Sequence, residues 1–465
     1  MIGVFLVNEN FNIHNYKHIH MIGIGGVSMS GIAEILVHSG IKVTGSDVSD
    51  SNLIQKLLKL GIEVHIGHDL INTKKANLIV YTAAIKNDDP ELILAKQFNI
   101  PTMERADFLG EITKLYKDTI CISGTHGKTT TTSMVSLCFL EAGFDPTIQV
   151  GATLKQIHGN NYIGKSDYFI IEACEYVESF LKFFPKSEII LNIDNDHLDY
   201  FKNFENIKNA FIKYVKLLPE DGFLVINADD KNCLDLPAFS KSTPITYGIN
   251  NKDADFFAKN LVCDDDGFYQ FDVYYKNEFY NRIKLSVPGV HNVSNALGCI
   301  ALCNCYGVPK EAIEKALLSF KGADRRFDYV GKYKNVKVYD DYAHHPTEIN
   351  TVLNSVKNKK HNESWIVFQS HTYSRTKNLL DDFAKVLSNF DHVIITDIYA
   401  AREANKYDIT PEDLVDKINN ISNKAIYIKE FEKIAEYLKS NVKDDDIILT
   451  VGAGTITNLG KLIVE

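Results

Sequence analysis

The segment Cys121-Ile-Ser-Gly-Thr-His-Gly-Lys-Thr-Thr-Thr holds the densest chemistry in the chain. An apolar run leads into a loop with Gly124 and Gly127, and a helix is expected from about Lys128. Glycines let backbone N–H groups approach phosphate oxygens, a helix N-terminus adds positive potential, and the Lys128 ammonium adds a full charge. The Thr129 hydroxyl is placed to contact Mg²⁺, as in a P-loop. The first glycine lies closer to Gly127 than in a Walker loop. The competing reading is a tight strand–helix turn with a solvent-facing lysine.

Two other apolar runs end in metal-ligand types. Phe169-Ile-Ile-Glu172-Ala-Cys-Glu175 brings two carboxylates, and Ile189-Ile-Leu-Asn-Ile-Asp194-Asn-Asp196-His197 brings aspartates and a histidine. In parallel sheets the loops at the carboxyl ends of strands converge on the ligand crevice, so these groups are expected near the phosphate loop. Mg²⁺ takes a few carboxylates plus phosphate oxygens, which suits Glu175. His197 is a softer ligand, expected at the site because of the strand before it.

A second glycine turn, Gly23-Ile-Gly25-Gly26-Val-Ser28-Met-Ser30-Gly31, follows a strand and opens a helix, with Asp47 after the next strand. That is a Rossmann-like arrangement for a diphosphate, but Ser28 replaces the third glycine, which weakens an NAD reading. A turn without a ligand is the alternative. Farther on, Tyr339-Asp340-Asp341-Tyr342-Ala-His344-His345-Pro346-Thr-Glu348 gathers acids and histidines at a strand end. Neighbouring side chains outside a helix diverge, so His344 and His345 are not both expected in a core. Gln369-Ser-His371-Thr-Tyr-Ser374-Arg375-Thr376 and Tyr399-Ala-Ala-Arg402-Glu403-Ala-Asn405 add arginines whose planar forks suit a carboxylate or phosphate. A surface salt bridge is the other reading of Arg402. Gly452-Ala-Gly454-Thr reads as a strand–helix connection.

The elements that must position these residues alternate, strand then amphipathic helix, as parallel α/β sheets do. Three sheet systems follow one another. The first uses His18–Ile22, Val43–Ser46 and Leu78–Tyr81, with a helix from about Ser30 to His38. The second uses Thr119–Ser123, Tyr168–Glu172 and Glu188–Ile193, and between Asp253 and Val287 turns aromatic and alternating, which predicts an antiparallel hairpin. The third uses Lys337–Tyr339, Trp365–Gln369, His392–Thr396 and Asp446–Val451. No internal repeat is visible.

A net charge of −10 gives no reason to expect nucleic acid or a membrane surface as partner. Eight cysteines would allow four disulfides, but Cys121, Cys138, Cys299 and Cys303 sit in apolar runs, as buried thiols of a reducing compartment do. No apolar stretch has the roughly 20 residues that span a bilayer, and the Ile2–Val7 run lacks the basic start of a signal peptide. A cytoplasmic enzyme is expected.

Taken together, the segments resemble the Mur ligase family over nearly the whole chain from about His18. The two glycine motifs, Asn192-Ile-Asp-Asn-Asp-His-Leu-Asp, Pro288-Gly-Val-His291-Asn292-Val-Ser-Asn295-Ala, Arg325-Arg326-Phe327-Asp328, Asp340-Asp-Tyr-Ala-His-His-Pro-Thr-Glu and Ser374-Arg-Thr occur in the family's order. The resemblance implies an α/β fold of three consecutive domains. Residues 1–112 would form a Rossmann-like UDP-binding domain, with 1–16 as an extension. Residues 113–322 would form a P-loop-type central ATPase domain, and 323–465 a Rossmann-like C-terminal domain.

It further implies ATP-dependent joining of L-alanine to UDP-N-acetylmuramate for peptidoglycan, with Mg²⁺, by a monomer or weak homodimer. Gly124, Thr125, His126, Gly127, Lys128, Thr129 and Thr130 would cradle ATP phosphates. Thr129, Glu175 and His197 would approach Mg²⁺, and His291, Asn292 and Asn295 the adenine. Arg326 and Asp341 would meet the nucleotide from the C-terminal domain. Gly23, Gly25, Gly26, Ser28, Asp47 and Thr82, with Thr82–Ile85 lining the pocket, would hold the UDP part. His345 and Arg375 would contact the γ-phosphate or L-alanine, and Lys128, His345 and Arg375 would be the catalytic set. The family often has Arg where Thr372 stands and Pro where Ser370 stands. Chemically, the lactoyl carboxylate must first become an acyl phosphate, which the alanine amine then attacks, with His345 as candidate base and closure about Lys321–Asp324 keeping water away.

Three other readings compete. One is a recycling ligase of the same family that attaches a murein tripeptide, disfavoured by Gly-Gly-Val-Ser-Met-Ser-Gly. Another is an NAD-dependent oxidoreductase, which leaves the Lys128 loop unexplained. The last is a non-catalytic nucleotide-binding regulator, against which Lys128, Glu175, His197 and Arg375 stand intact.

Overall fold

Strands buried on both faces need apolar or internally paired side chains, and His18–Ile22 shows both solutions. It is buried throughout, with His18 and His20 bonded to the Thr44 hydroxyl at 2.9 and 2.8 Å and His20 to Glu91 at 3.0 Å. The computed structural model describes residues 11–401 and 403–465; the first ten positions of the expected extension, and Arg402, lie outside the described residues. The fold is α/β, with three consecutive sheet-centred domains. Two compact units are separable by contacts: residues 11–195, 203–247 and 298–313, and residues 196–202, 248–297 and 314–465.

In the first unit, β1 (His18–Ile22), β2 (Lys42–Asp47), β3 (Glu63–Ile66), β4 (Leu78–Tyr81) and β5 (Thr102–Glu104) form a parallel sheet in the order β3-β2-β1-β4-β5. The chain reverses direction of build between β1 and β4, which opens a crevice at their carboxyl ends. A second sheet contains β6 (Asp118–Ser123), β7 (Thr147–Leu154), β8 (Gly159–Tyr162), β9 (Tyr168–Glu172), β10 (Ser187–Ile190), β11 (Phe223–Asn227) and β12 (Thr243–Gly248). Its order is β12-β11-β10-β6-β9-β7-β8, and only β7–β8 is antiparallel. β6 therefore lies between β9 and β10, and the loops after all three leave the same edge.

The second unit holds an antiparallel meander, β13 (Phe256–Cys263), β14 (Phe268–Tyr275) and β15 (Glu278–Pro288). It also holds a sheet of β16 (Asp328–Tyr333), β17 (Val336–Asp341), β18 (Ser364–Phe368), β19 (His392–Ile395), β20 (Ala425–Tyr427) and β21 (Ile447–Val451) in the order β16-β17-β21-β18-β19-β20. β16 is antiparallel and the rest parallel. The period-2 alternation of β18 splits its side chains between two cores: Ile366 and Phe368 join one face, Trp365 and Val367 the other. Each such burial contributes roughly 1.5–3 kcal/mol.

Three expectations need correction. The hairpin between Asp253 and Val287 is a three-stranded meander; Arg282 and Lys284 make β15 look like loop, although their polarity belongs to its outward face. The first helix spans Val27–His38, starting at the glycine turn and not at Ser30. The strand expected to run to Ile193 ends at Ile190, because the backbone beyond is diverted into bonds with the phosphate loop.

Candidate active site

Gly127 caps the helix Lys128–Glu141 in a left-handed conformation, with φ +87°, and no side chain caps it. The first amides of that helix remain available to an anion. Gly124 has φ +131°, and a side chain there would come within 3.0 Å of Leu191 Cβ and the Asn192 nitrogen. Asn192 braces the loop. Its carbonyl accepts from Thr125 N–H at 3.0 Å, its side-chain oxygen from His126 N–H at 2.8 Å, and its Nδ2 donates to the His126 carbonyl at 3.0 Å. The Thr125 hydroxyl accepts from Asp194 N–H at 2.9 Å, and His126 Nε2 lies 3.1 Å from Asp194 Oδ2.

Lys128 Nζ donates to the carbonyls of Gly124 and Thr125 at 2.5 and 2.9 Å and to Glu175 Oε2 at 3.0 Å. Burial works against its charge, but the Glu175 carboxylate outweighs this and holds the ammonium above the ordinary lysine range. Glu175 is 1% exposed, and its Oε1 has no hydrogen-bond partner among the described residues. Beside it, the Thr129 hydroxyl donates to Glu172 Oε2 at 3.2 Å, and Glu172 Oε1 accepts from Gly151 N–H at 2.6 Å. Thr130 is half-buried on the same first turn. A buried, unpartnered carboxylate oxygen beside a hydroxyl and a second carboxylate is a donor set that fits Mg²⁺. Glu172 was placed by sequence only as a strand-end acid, and the bracing by Asn192 was not foreseen.

In the first domain Gly23 N–H and Ile24 N–H both donate to the Ser46 carbonyl, at 2.8 and 3.1 Å. A side chain at Gly23 would meet Thr82 Cγ2 at 2.6 Å, so these strand ends touch where sequence placed both. Gly25 N–H donates to Asp47 Oδ2 at 2.8 Å, and Arg105 reaches the Ser28 hydroxyl at 3.4 Å. Gly26 caps the helix Val27–His38 without a side-chain bond.

The second unit gathers a different set. Arg375 donates to Asp196 Oδ1 at 2.9 Å and lies 3.1 Å from His371 Nδ1. Burial tends to raise the Asp196 carboxyl, but His197 and Arg375 outweigh it and keep the group ionised far below the usual carboxylate range. Burial first, then the neighbouring His344 and Arg375, pushes His371 down to about 4. It is therefore neutral at pH 7, which leaves its Nδ1 able to accept from Arg375. The ring of His344 lies 5.7 Å from that of His371. His197 has φ +54° and caps the short helix Leu198–Phe201. Asp196 was noticed in sequence only as a neighbour of His197; its partner lies 179 residues away.

His345 is 5% exposed and caps the helix Pro346–Lys357, its Nδ1 accepting from Thr347 N–H at 3.3 Å. His344 is less buried, and its Nδ1 lies 3.1 Å from the Tyr342 carbonyl. Asp341 accepts from Phe327 N–H and Ala343 N–H, both at 2.7 Å. Burial pushes its carboxyl up to about 6, against the pull of Arg326. Arg326 lies over the Tyr342 ring, 5.3 Å from its centre. Asn292 Nδ2 donates to the Pro288 carbonyl at 2.7 Å, and Asn295 Nδ2 to Asn292 Oδ1 at 3.1 Å. Burial lowers neighbouring His291 to about 4. Glu403 braces the Arg375 segment, accepting from Ser374 N–H at 2.9 Å.

Comparison with known proteins gives consistent matches. Residues 18–117 match the Mur ligase family, catalytic domain; residues 122–303 the Mur ligase middle domain; and residues 325–454 the Mur ligase, glutamate ligase domain. A UDP-N-acetylmuramate–L-alanine ligase of Acetivibrio thermocellus is 50% identical over 452 residues, 97% of this chain and 96% of that one. The protein of the same name from Clostridium acetobutylicum is 49% identical over 449 residues, 97% and 98% of the two chains. Among solved structures, the UDP-N-acetylmuramate-alanine ligase MurC of Thermotoga maritima superposes with a TM-score of 0.81 at 28% identity, covering 97% of this chain and 98% of that one. A murein peptide ligase of Psychrobacter arcticus shares the fold, with a TM-score of 0.71 at 23% identity over 96% and 98%.

Proposed function

The chain belongs to the Mur ligase family, and we propose that it joins L-alanine to the lactoyl carboxylate of UDP-N-acetylmuramate at the expense of ATP, in peptidoglycan precursor synthesis. The observation that carries the chemistry is Lys128, a buried, charged ammonium held at the mouth of a glycine turn by Glu175 and two loop carbonyls. The choice of substrates follows the relatives, half identical over nearly the full chain.

A carboxylate cannot expel hydroxide, so amide formation needs a better leaving group. The lactoyl carboxylate takes the γ-phosphoryl group of ATP to give an acyl phosphate and ADP; the neutral amine of L-alanine then displaces phosphate. In this reading Gly124–Thr130 hold the ATP phosphates through backbone amides, and Lys128 stabilises the charge spread over the transferring oxygens. Thr129 and Glu175, with Glu172 behind them, would hold Mg²⁺, which would neutralise phosphate charge. His197 is a further proposed metal ligand. The amides of the Gly23–Ser28 turn hold the diphosphate of UDP-N-acetylmuramate, with Asp47 near the nucleotide and Thr82 lining its pocket.

In the second unit, His291, Asn292 and Asn295 serve the adenine, and Arg326 and Asp341 the nucleotide. Arg375 presents a fork fixed by Asp196 to the carboxylate of L-alanine or to phosphate. His345, whose Nδ1 accepts from Thr347 N–H, is the proposed acceptor of the ammonium proton, which it takes at Nδ1 once that backbone bond is released. The enzyme works in the cytoplasm as a monomer or weak homodimer, without nucleic acid or membrane. Eight free thiols support that compartment, and no described helix is long and apolar enough to cross a membrane.

The test is phosphate release from ATP and Mg²⁺ with UDP-N-acetylmuramate, with and without L-alanine. Release that needs both substrates supports the reading. Release with a murein tripeptide but not with L-alanine would replace it with the recycling reaction, and no release with any acceptor would remove it.

A further inference from the structure

Burial alone does not bring thiols together in this protein: Cys121 and Cys233 are buried without another cysteine beside them among the metal-competent groups. Cys138, Cys299 and Cys303 behave differently. Cys138 lies on the helix Lys128–Glu141, and Cys299 and Cys303 lie one turn apart on the helix Val290–Cys305. All three are 0% exposed. Cys138 Sγ is 3.7 Å from Cys299 Sγ, and Cys299 Sγ is 3.9 Å from Cys303 Sγ. All three sulfurs lie within 4.8 Å of one another, and among the described residues no histidine or carboxylate shares the cluster.

We propose that these three cysteines form a binding site for a soft, thiophilic metal cation. Two sulfurs on a tetrahedral ion with metal–sulfur bonds of about 2.3 Å stand about 3.8 Å apart, which is the spacing two of the three sulfur pairs already have, the third lying within 4.8 Å. Formation of the site therefore requires little side-chain movement. The all-sulfur donor set excludes hard cations such as Mg²⁺ and selects Zn²⁺, Cd²⁺ or Cu⁺. Charge balance is met inside the apolar interior. For a divalent ion two S–H bonds break, two metal–thiolate bonds form and two protons pass to the buffer. The third sulfur coordinates as a thiol and the site stays neutral. Occupancy ties the helix that starts at the phosphate loop to the Cys299–Cys303 turn, so the bound ion stabilises the native central domain by mass action.

Cadmium alone is the probe. Full-length reduced protein carrying Cys174→Ser and Cys263→Ser, which removes the two exposed thiols, is titrated with CdCl₂ and desalted. Retained metal, the ultraviolet thiolate-to-cadmium absorption and the thermal midpoint are then read. The expected result is about one equivalent of cadmium per chain with a raised midpoint, both lost in Cys138→Ser and in Cys303→Ser and both kept in Cys121→Ala. The two serine variants lie on different helices, so one decides if the other fails to fold. No retained cadmium in the parent, or equal retention and midpoint rise in the folded serine variants, overturns the site.

Discussion

Replacing Lys128 with methionine removes the ammonium while nearly keeping the side chain's length and apolar stem. Three acceptors then lose their donor: the carbonyls of Gly124 and Thr125, and Glu175. The pair is well shielded, with side chains 16% and 2% exposed for Lys128 and Glu175. Removing one partner of a buried pair leaves a stranded charge and costs about 3–5 kcal/mol. For a domain of roughly 200 residues, at about 2–4 °C per kcal/mol, the thermal midpoint should fall by around 6–20 °C. Adding Glu175→Gln removes the stranded charge, so the double variant should recover more than half of the lost midpoint. Activity should behave differently if Lys128 has its proposed role on the transferring phosphoryl group: substrate-dependent phosphate release should fall by about 10²–10³ in both variants. The assays are differential scanning calorimetry and phosphate release on the same preparations. A single variant within about 1 °C of the parent, or a double variant no more stable than the single, would refute the buried-pair argument. Retained phosphate release would refute the role of Lys128 in catalysis.

Three further outcomes follow from the same structure. Glu188 is fully buried, neither carboxylate oxygen has a close hydrogen-bond partner among the described residues, and burial raises its pKa well above 4.5 against a lesser pull from the Tyr214 hydroxyl. It is protonated in the folded state, so its contribution is complete below about pH 4.5 and is lost as pH rises toward the folded value; Glu188→Gln should raise the thermal midpoint at pH 8 and leave it unchanged near pH 4. Asp341, raised to about 6, holds the backbone of Phe327 and Ala343; phosphate release should fall as pH drops through about 6, and Asp341→Asn should lower the rate and flatten that limb. Asn192→Ala removes two side-chain bonds to the phosphate loop, each contributing about 0.5–1.5 kcal/mol, so the KM for ATP should rise about tenfold in steady-state titrations, with kcat less affected.

What could be read in sequence, and what could not, divides along the range of the interactions. The Lys128 loop was legible because glycine, lysine and helix start are contiguous, and strand alternation gave the three sheets. Asn192, Glu172 and Asp196 acquire their roles only through neighbours in space: β6 lies between β9 and β10, which sets Asn192 against His126, 66 positions away. A period-2 pattern names a strand but not its partners, so no local signal pairs those residues. β15 escaped for a related reason, since an outward row of polar side chains reads as loop until the sheet beside it is known. Glu188 was taken as a strand residue like its neighbours, and its isolation in the core follows from the packing around it.

The two glycine turns look alike in sequence, and the structure separates them by charge. In the central domain the turn is closed by a cation: Lys128 spans two carbonyls and a buried carboxylate, an arrangement suited to meeting a polyphosphate. In the first domain the turn is closed by an anion, since Asp47, 22 positions after Gly25, accepts its N–H. In a dinucleotide-binding sheet the acid after the second strand bonds a ribose hydroxyl. Here one oxygen of that acid is engaged by the turn itself, which shapes the Gly25 backbone and competes with the ribose contact. The amides that remain for a ligand are those of the helix Val27–His38, whose N-terminus has no side-chain cap and accepts a diphosphate without regard to a nicotinamide. The same motif therefore reads as a holder for a nucleotide-linked substrate in one domain and as a phosphoryl-transfer site in the other, and the oxidoreductase alternative, which rested on the first glycine turn, leaves the cation-closed turn of Lys128 unexplained.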